Sequence, residues 1–178
     1  MAKFEKVSKF KDVDFAMPVR KTKFSAGYDM VAVEDTIIPP YYEHLNNLAA
    51  EGGPQGTCYT LAGMAALTKQ IKAKPTLVST GVKCQLESGT YLELSVRSST
   101  PLKQWIILAN SVGIIDADYY NNSDNEGEIF FQLINLSPYP IKIQKGEAIG
   151  RGIIKKYEIT DNDIAQGERV GGFGSTSK

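Results

Sequence analysis

The chain has 178 residues, 42% of them hydrophobic, with 20 Lys+Arg balanced by 20 Asp+Glu. That size suits one domain with a real core, and the zero net charge argues against broad nucleic-acid or membrane-surface binding, which needs a basic excess. Two cysteines, Cys58 and Cys84, and one histidine, His44, cannot close a zinc site. The start, Met1-Ala2-Lys3-Phe4-Glu5-Lys6, has no apolar leader core. No apolar run approaches the roughly 20 residues of a membrane span. A reduced, cytoplasmic protein is the expectation.

Phe4, Val7 and Phe10 among lysines predict an edge strand and then a loop. The small residues of Ser25-Ala26-Gly27 predict a tight turn that enters a strand at Tyr28-Asp29-Met30. Asp29 reads either as a turn carboxylate bonded to its own backbone or as a functional group. Residues 41–74 differ in character. Tyr41, Leu45, Leu48 and Ala49 fall at helical spacing, Gly52-Gly53-Pro54 breaks the run, and Leu61, Met64, Ala65, Thr68 and Ile71 repeat the period. A helical hairpin inserted into a strand-rich chain is expected there, either covering the domain or serving as a docking arm for another protein.

Strand patterns resume over Thr76–Val82, turn at Ser88-Gly89 and continue through Tyr91, Leu92, Leu94 and Val96 to Arg97-Ser98-Ser99. A planar cation followed by two hydroxyls at a strand end suits a phosphate chain, although polar loop starts are common. Trp105 to Ala109 reads as a strand leading into Asn110-Ser111-Val112-Gly113-Ile114-Ile115-Asp116-Ala117-Asp118-Tyr119. With Val112-Gly113 reversing the chain, this stretch predicts a hairpin whose backbone donors and acceptors line a slot suited to a nucleobase. Asp116 lies just past the tip, where a carboxylate could polarise a water; an ordinary hairpin with solvated aspartates is the alternative.

Tyr120-Asn121-Asn122-Ser123-Asp124-Asn125-Glu126-Gly127 reads as a loop or a lengthened hairpin tip. Ile129–Ile134 predicts a buried strand, Ile141-Lys142-Ile143 an alternating one, Lys145-Gly146-Glu147 a turn and Ile153-Ile154 a last strand. Many short strands with regular turns indicate an all-β sandwich or barrel. From Thr160 the tail is polar and ends in glycines with serine and threonine. No helix follows it, so a phosphate-binding P-loop is excluded. Arg169, Phe173, Ser175 and Thr176 supply what a closing flap needs, and such a tail stays mobile unless a ligand orders it.

Together these segments resemble the trimeric dUTPases. Ala26-Gly27-Tyr28-Asp29 looks like the family's first motif, Arg97-Ser98-Ser99 the second, Asn110 through Tyr119 the third, Gly146-Glu147-Ala148-Ile149-Gly150-Arg151 a divergent fourth, and Arg169 through Thr176 the fifth. The resemblance implies a distorted jelly-roll or β-barrel over residues 1–178, with the insert at 41–74 and a flexible flap at 160–178. It implies Mg²⁺-dependent hydrolysis of dUTP to dUMP and pyrophosphate, in a homotrimer with three shared active sites, where one subunit gives the uracil turn, a second Arg97-Ser98-Ser99 and a third its tail. Asp116 would be the base for water. Asn110, Gly113 and Ile115 would read uracil, and Tyr119 would lie beneath the deoxyribose. Arg97, Ser98, Ser99 and Arg151 would meet phosphates. Arg169 would grip the terminal phosphate, Phe173 would stack on the base, and Gly174, Ser175 and Thr176 would complete the flap. Asp29 would support the magnesium through bound water. Nucleic acid and membrane are not implied as partners.

Three departures accompany the likeness: Ala148 and Arg151 where the family has arginine and glutamine, the loop from Tyr120 to Glu126, and the insert. A phage source fits such extra segments. Two rival readings remain at this stage. A dCTP deaminase shares the fold but has Pro-Gly-Phe where this chain has Ala117-Asp118-Tyr119. A regulatory binding module on the same scaffold would dock its partner on 41–74.

Overall fold

The computed structural model describes residues 1–41, 74–167, 169, 171 and 172. Nearly all regular structure is antiparallel β. In chain order the strands are β1 (Lys3–Lys6), β2 (Tyr28–Val31), β3 (Thr36–Ile38), β4 (Thr76–Ser79), β5 (Val82–Gln85), β6 (Thr90–Val96), β7 (Ile106–Leu108), β8 (Gly113–Ile115), β9 (Phe130–Asn135), β10 (Ile141–Ile143) and β11 (Ala148–Lys156). Among the described residues, one short helix, α1 (Ser99–Gln104), and 3₁₀ turns at Ser8–Phe10 and Ala117–Tyr119 accompany them. The strands form four small sheets: β2-β11-β6-β8, β4-β9-β7, and the pairs β1-β5 and β10-β3.

Alternation decides which face is inward, because successive strand side chains point to opposite sides. In β6, Thr90, Leu92 and Leu94 are buried; in β9, Phe131, Leu133 and Asn135 are. Their apolar members meet Met30, Ile38, Val78, Ile106, Ile129 and Ile143 in one core. Asn135 is a buried polar exception with its bonds made: its amide donates to the carbonyls of Ile38 and Tyr139, and its oxygen accepts from Ser137 N–H. Cys84 is a free thiol in the same core, and burial pushes its pKa up to about 12; Cys58 lies outside the described residues.

Several expectations need correction. The run Thr76–Val82 is two strands in different sheets, β4 and β5, separated at Gly81. Gly81 has φ +67°, and a Cβ there would lie 2.9 Å from Val33, so only glycine makes this corner without strain. Trp105 does not begin a strand. It caps α1 in the left-handed region and is 64% exposed. The last strand is longer than Ile153-Ile154 and takes in most of the fourth motif. The helical hairpin expected over 41–74 lies, apart from its ends, outside the described residues. Those ends are both fastened along β9: Pro40 bridges Asn135, and Thr76 pairs with Leu133.

Candidate active site

The segment Ile106–Ile115 reverses as expected, but its arms do not pair with each other. β7 pairs with β9, and β8 pairs with β6 in another sheet. The segment is therefore a splayed turn between two edge strands. The turn sits at Asn110-Ser111, where Ser111 has φ +61° and Val112 N–H donates to Asn110 O at 2.6 Å. Gly113 does not have a left-handed φ; a Cβ there would lie a tight 3.1 Å from the Leu94 side chain. Asn110 is exposed at the tip, while the Ile115 side chain belongs to the core. A ligand between the arms thus meets Ile115 only through its backbone. Each arm has one unpaired edge, and such an edge presents the N–H and C=O groups that a planar ring can use.

Asp116 follows β8 in extended conformation, and its carbonyl accepts the Tyr119 N–H that closes the 3₁₀ turn. Its carboxylate is half exposed. Arg169 bridges the two aspartates of its own chain's turn, where the resemblance implied a tail from another subunit: Nη2 donates to Asp116 Oδ2 at 2.7 Å and Nε to Asp118 Oδ1 at 2.9 Å. The guanidinium also lies 5.7 Å from the centre of the Tyr119 ring, within the range of a cation–π contact. The Tyr119 hydroxyl donates to Glu128 O and accepts from the Asn125 amide. Burial raises the pKa of that phenol, so it stays a neutral donor. Asp118 carried no role in the sequence reading; its proximity to Arg169 depends on a contact across 51 residues, which no local pattern reveals.

The phosphate-type residues gather elsewhere. Asp29 on β2 pairs with Arg151 on β11, which in turn pairs with Ser95 on β6, two residues before Arg97. Arg151 lies along Gly27, where a Cβ would come within 2.8 Å of its side chain. Arg151 Nε is buried and has no hydrogen-bond partner among the described residues. Arg97 leaves β6, and Ser98 begins α1 without using its hydroxyl as a cap; Ser99 follows in the first turn. Within one chain this group stands apart from Asp116. Ile115 lies opposite Leu92, and from residue 92 to Arg97 is about 16 Å of extended strand. Phe173, Gly174, Ser175 and Thr176 lie outside the described residues.

Among the described residues no group of three or more His, Cys, Asp or Glu could hold a metal ion. Asp29 offers one half-buried carboxylate beside an arginine, which fits a cation carried mainly by a ligand's phosphates and water. No described helix is long and apolar enough to cross a membrane.

Residues 54–177 match the model of the dUTPase family. The chain belongs to the dUTPase family. The deoxyuridine 5'-triphosphate nucleotidohydrolase of Lactococcus lactis is 37% identical over 175 residues, covering 97% of this chain and 95% of that one. The dUTPase crystal structure from Streptococcus mutans superposes with a TM-score of 0.66 at 30% identity, covering 89% of this chain and 98% of that one. The dUTPase of phage phi11 of S. aureus, with its species-specific insert, shares the fold at TM-score 0.62 and 14% identity, over 94% of this chain and 97% of that one. As a dUTPase, the chain has the all-β jelly-roll architecture that its motifs implied.

Proposed function

We propose that this dUTPase hydrolyses dUTP to dUMP and pyrophosphate with Asp116 as the general base, in a site shared between subunits of a homotrimer. The observation that carries the reading is the grip of Arg169 on Asp116 and Asp118, which unites the glycine-rich tail with the splayed turn. Uracil enters between the open edges of β7 and β8, where Asn110 and the backbone of Gly113 and Ile115 read its donors and acceptors. Tyr119 supports the sugar. Unmet buried hydrogen bonds would reject a wrong ring by roughly 10⁴-fold or more.

Asp116 takes a proton from the water that attacks the α-phosphorus, a role typically worth 10²–10⁴-fold. The triphosphate lies on Arg97, Ser98, Ser99 and Arg151. Their distance from Asp116 in one chain supports a neighbouring subunit as their source. Magnesium would be held mainly by the substrate's phosphates, with Asp29 supporting it through bound water, and would supply charge neutralisation at the triphosphate. Arg169, Phe173, Gly174, Ser175 and Thr176 close the pocket, excluding bulk water and holding the chain of phosphates in line.

The test is pyrophosphate release from dUTP, dTTP, dCTP and UTP with Mg²⁺, for the native protein and Asp116→Asn. Release from dUTP alone, reduced at least about 100-fold by the substitution, is expected. A folded protein that hydrolyses none of the four would sink the proposal, and deamination of dCTP would replace it with the rival chemistry.

A further inference from the structure

The asparagine-rich loop after Tyr119 has no part in the reaction just described, yet it touches the tail. We propose that this loop is the seat of the C-terminal arm and that Asp124 is the positioning residue that holds it. The inference rests on the dUTPase reading for its kinetic readout, though not for its geometry.

The loop is built to be rigid. The buried Asn122 amide donates to Tyr119 O and to Asn125 Oδ1, both at 2.8 Å, while its oxygen accepts the N–H groups of Asp124 and Asn125. Asn125 Oδ1 accepts from Gly127 N–H as well, and Asn125 Nδ2 reaches the Tyr119 hydroxyl at 2.7 Å. The two ends are fastened outward: Lys83 donates to Asn121 Oδ1, and Ser8 donates to the Glu126 carboxylate. The Asp124 backbone is thus held on the Tyr119 scaffold, and its exposed carboxylate projects away from it.

That carboxylate meets the arm. Gly172 N–H donates to Asp124 Oδ2 at 2.7 Å. A Cβ on Gly171 would overlap the same oxygen and lie 3.1 Å from Asp124 Cγ, and one on Gly172 would lie 3.5 Å from Asn125 Nδ2. Both glycines are buried. The arm is therefore fixed at two points, Arg169 on the carboxylates of the reacting turn and Gly172 on a carboxylate outside it. The two contacts differ in purpose. Arg169 must turn from Asp116 toward phosphate when substrate arrives, and an arm tied only there would come loose at that moment. The Asp124 bond keeps the segment at the pocket during the exchange.

The experiment measures steady-state dUTP hydrolysis and tryptic cleavage after Arg169 on the full-length protein. The variants are Asp124→Ala, Asp124→Asn, Gly171→Ala and the double Asp124→Ala/Gly171→Ala. Losing one hydrogen bond to a carboxylate should lower kcat/KM about tenfold in Asp124→Ala. Asp124→Asn keeps an acceptor oxygen and should restore most of that loss. Gly171→Ala should be impaired at least as much, and the double variant should be no worse than Gly171→Ala alone, because both remove one contact. Tryptic cleavage should quicken in Asp124→Ala with Tm unchanged. Wild-type kinetics and cleavage in Asp124→Ala, or losses that multiply in the double variant, would overturn the proposal. A native protein that releases no pyrophosphate from dUTP would defeat the hydrolase reading instead; the cleavage comparison would still decide the docking, with equal rates overturning it.

Discussion

Two inactive variants should restore each other. In one chain, Asp116 and Arg97 lie beyond opposite ends of the β6–β8 pairing, and the strand from residue 92, opposite Ile115, to Arg97 alone spans about 16 Å. If each site takes Asp116 from one subunit and Arg97 from its neighbour, Asp116→Asn and Arg97→Ala trimers are both nearly dead for different reasons. Co-expressed at equal levels, a site is intact when its turn comes from the Arg97→Ala chain and its arginine from the Asp116→Asn chain. Each condition holds half the time in a randomly assembled ring, so about a quarter of the sites should be whole. The assay is pyrophosphate release from dUTP by the co-purified mixture, against separately purified variants mixed without exchange. Recovery to about a quarter of the native rate is expected. Activity no higher than the sum of the parents would refute the shared site, since residues that serve one site in cis cannot complement.

Two stability predictions follow from the same strands. A Cβ on Gly150 would overlap Phe131 Cε1, lie 2.5 Å from Cζ and sit 2.7 Å from the Ser95 carbonyl. Phe131 is fully buried, so Gly150→Ala should cost about 3 kcal/mol and lower Tm by roughly 6–12 °C by calorimetry, with Phe131→Leu relieving part of the loss; an unchanged Tm would contradict the packing. Glu128 is buried against Ser79, whose hydroxyl donates to it, and desolvation raises its pKa from 4.5. The folded state therefore holds the proton more tightly than the unfolded chain. The stability this contributes is present in full below pH 4.5 and is lost as pH rises through the folded value. Glu128→Gln should raise Tm at neutral pH and flatten that decline in urea titrations across the window; a steeper decline would reverse the assignment.

The sequence made the strands legible wherever alternation and turn residues agreed. The run through Leu92 and Leu94 is a strand, as read, Gly89 and Gly146 turn with φ +77° and +83°, and the alternation over Ile141–Ile143 is a strand. What escaped was non-local. Val112-Gly113 looks like a hairpin tip because nothing in the stretch says that Ile106–Leu108 will find β9 and Gly113–Ile115 will find β6. α1 escaped because Pro101 and Thr100 are poor helix signals over so few residues. At the site, the motif residues were named by resemblance, whereas the contacts of Asp118 with Arg169 and of Asp124 with Gly172 required the fold to bring the tail back. Arg151 fits this frame: it occupies the space left by Gly27, a match between β11 and the turn before β2 that neither residue discloses alone.

Fastening residues 40 and 76 to the same strand has a consequence for the chain's history. The ladder of β9 closes on both sides of the intervening stretch without consulting what lies within it. A segment exchanged between these two anchors alters the loop-closing entropy by only about 0.6 kcal/mol per doubling of length, and it leaves the register of β4 and the site beyond β7 as they were. A segment of another length placed between these anchors would leave both pairings to β9 in register.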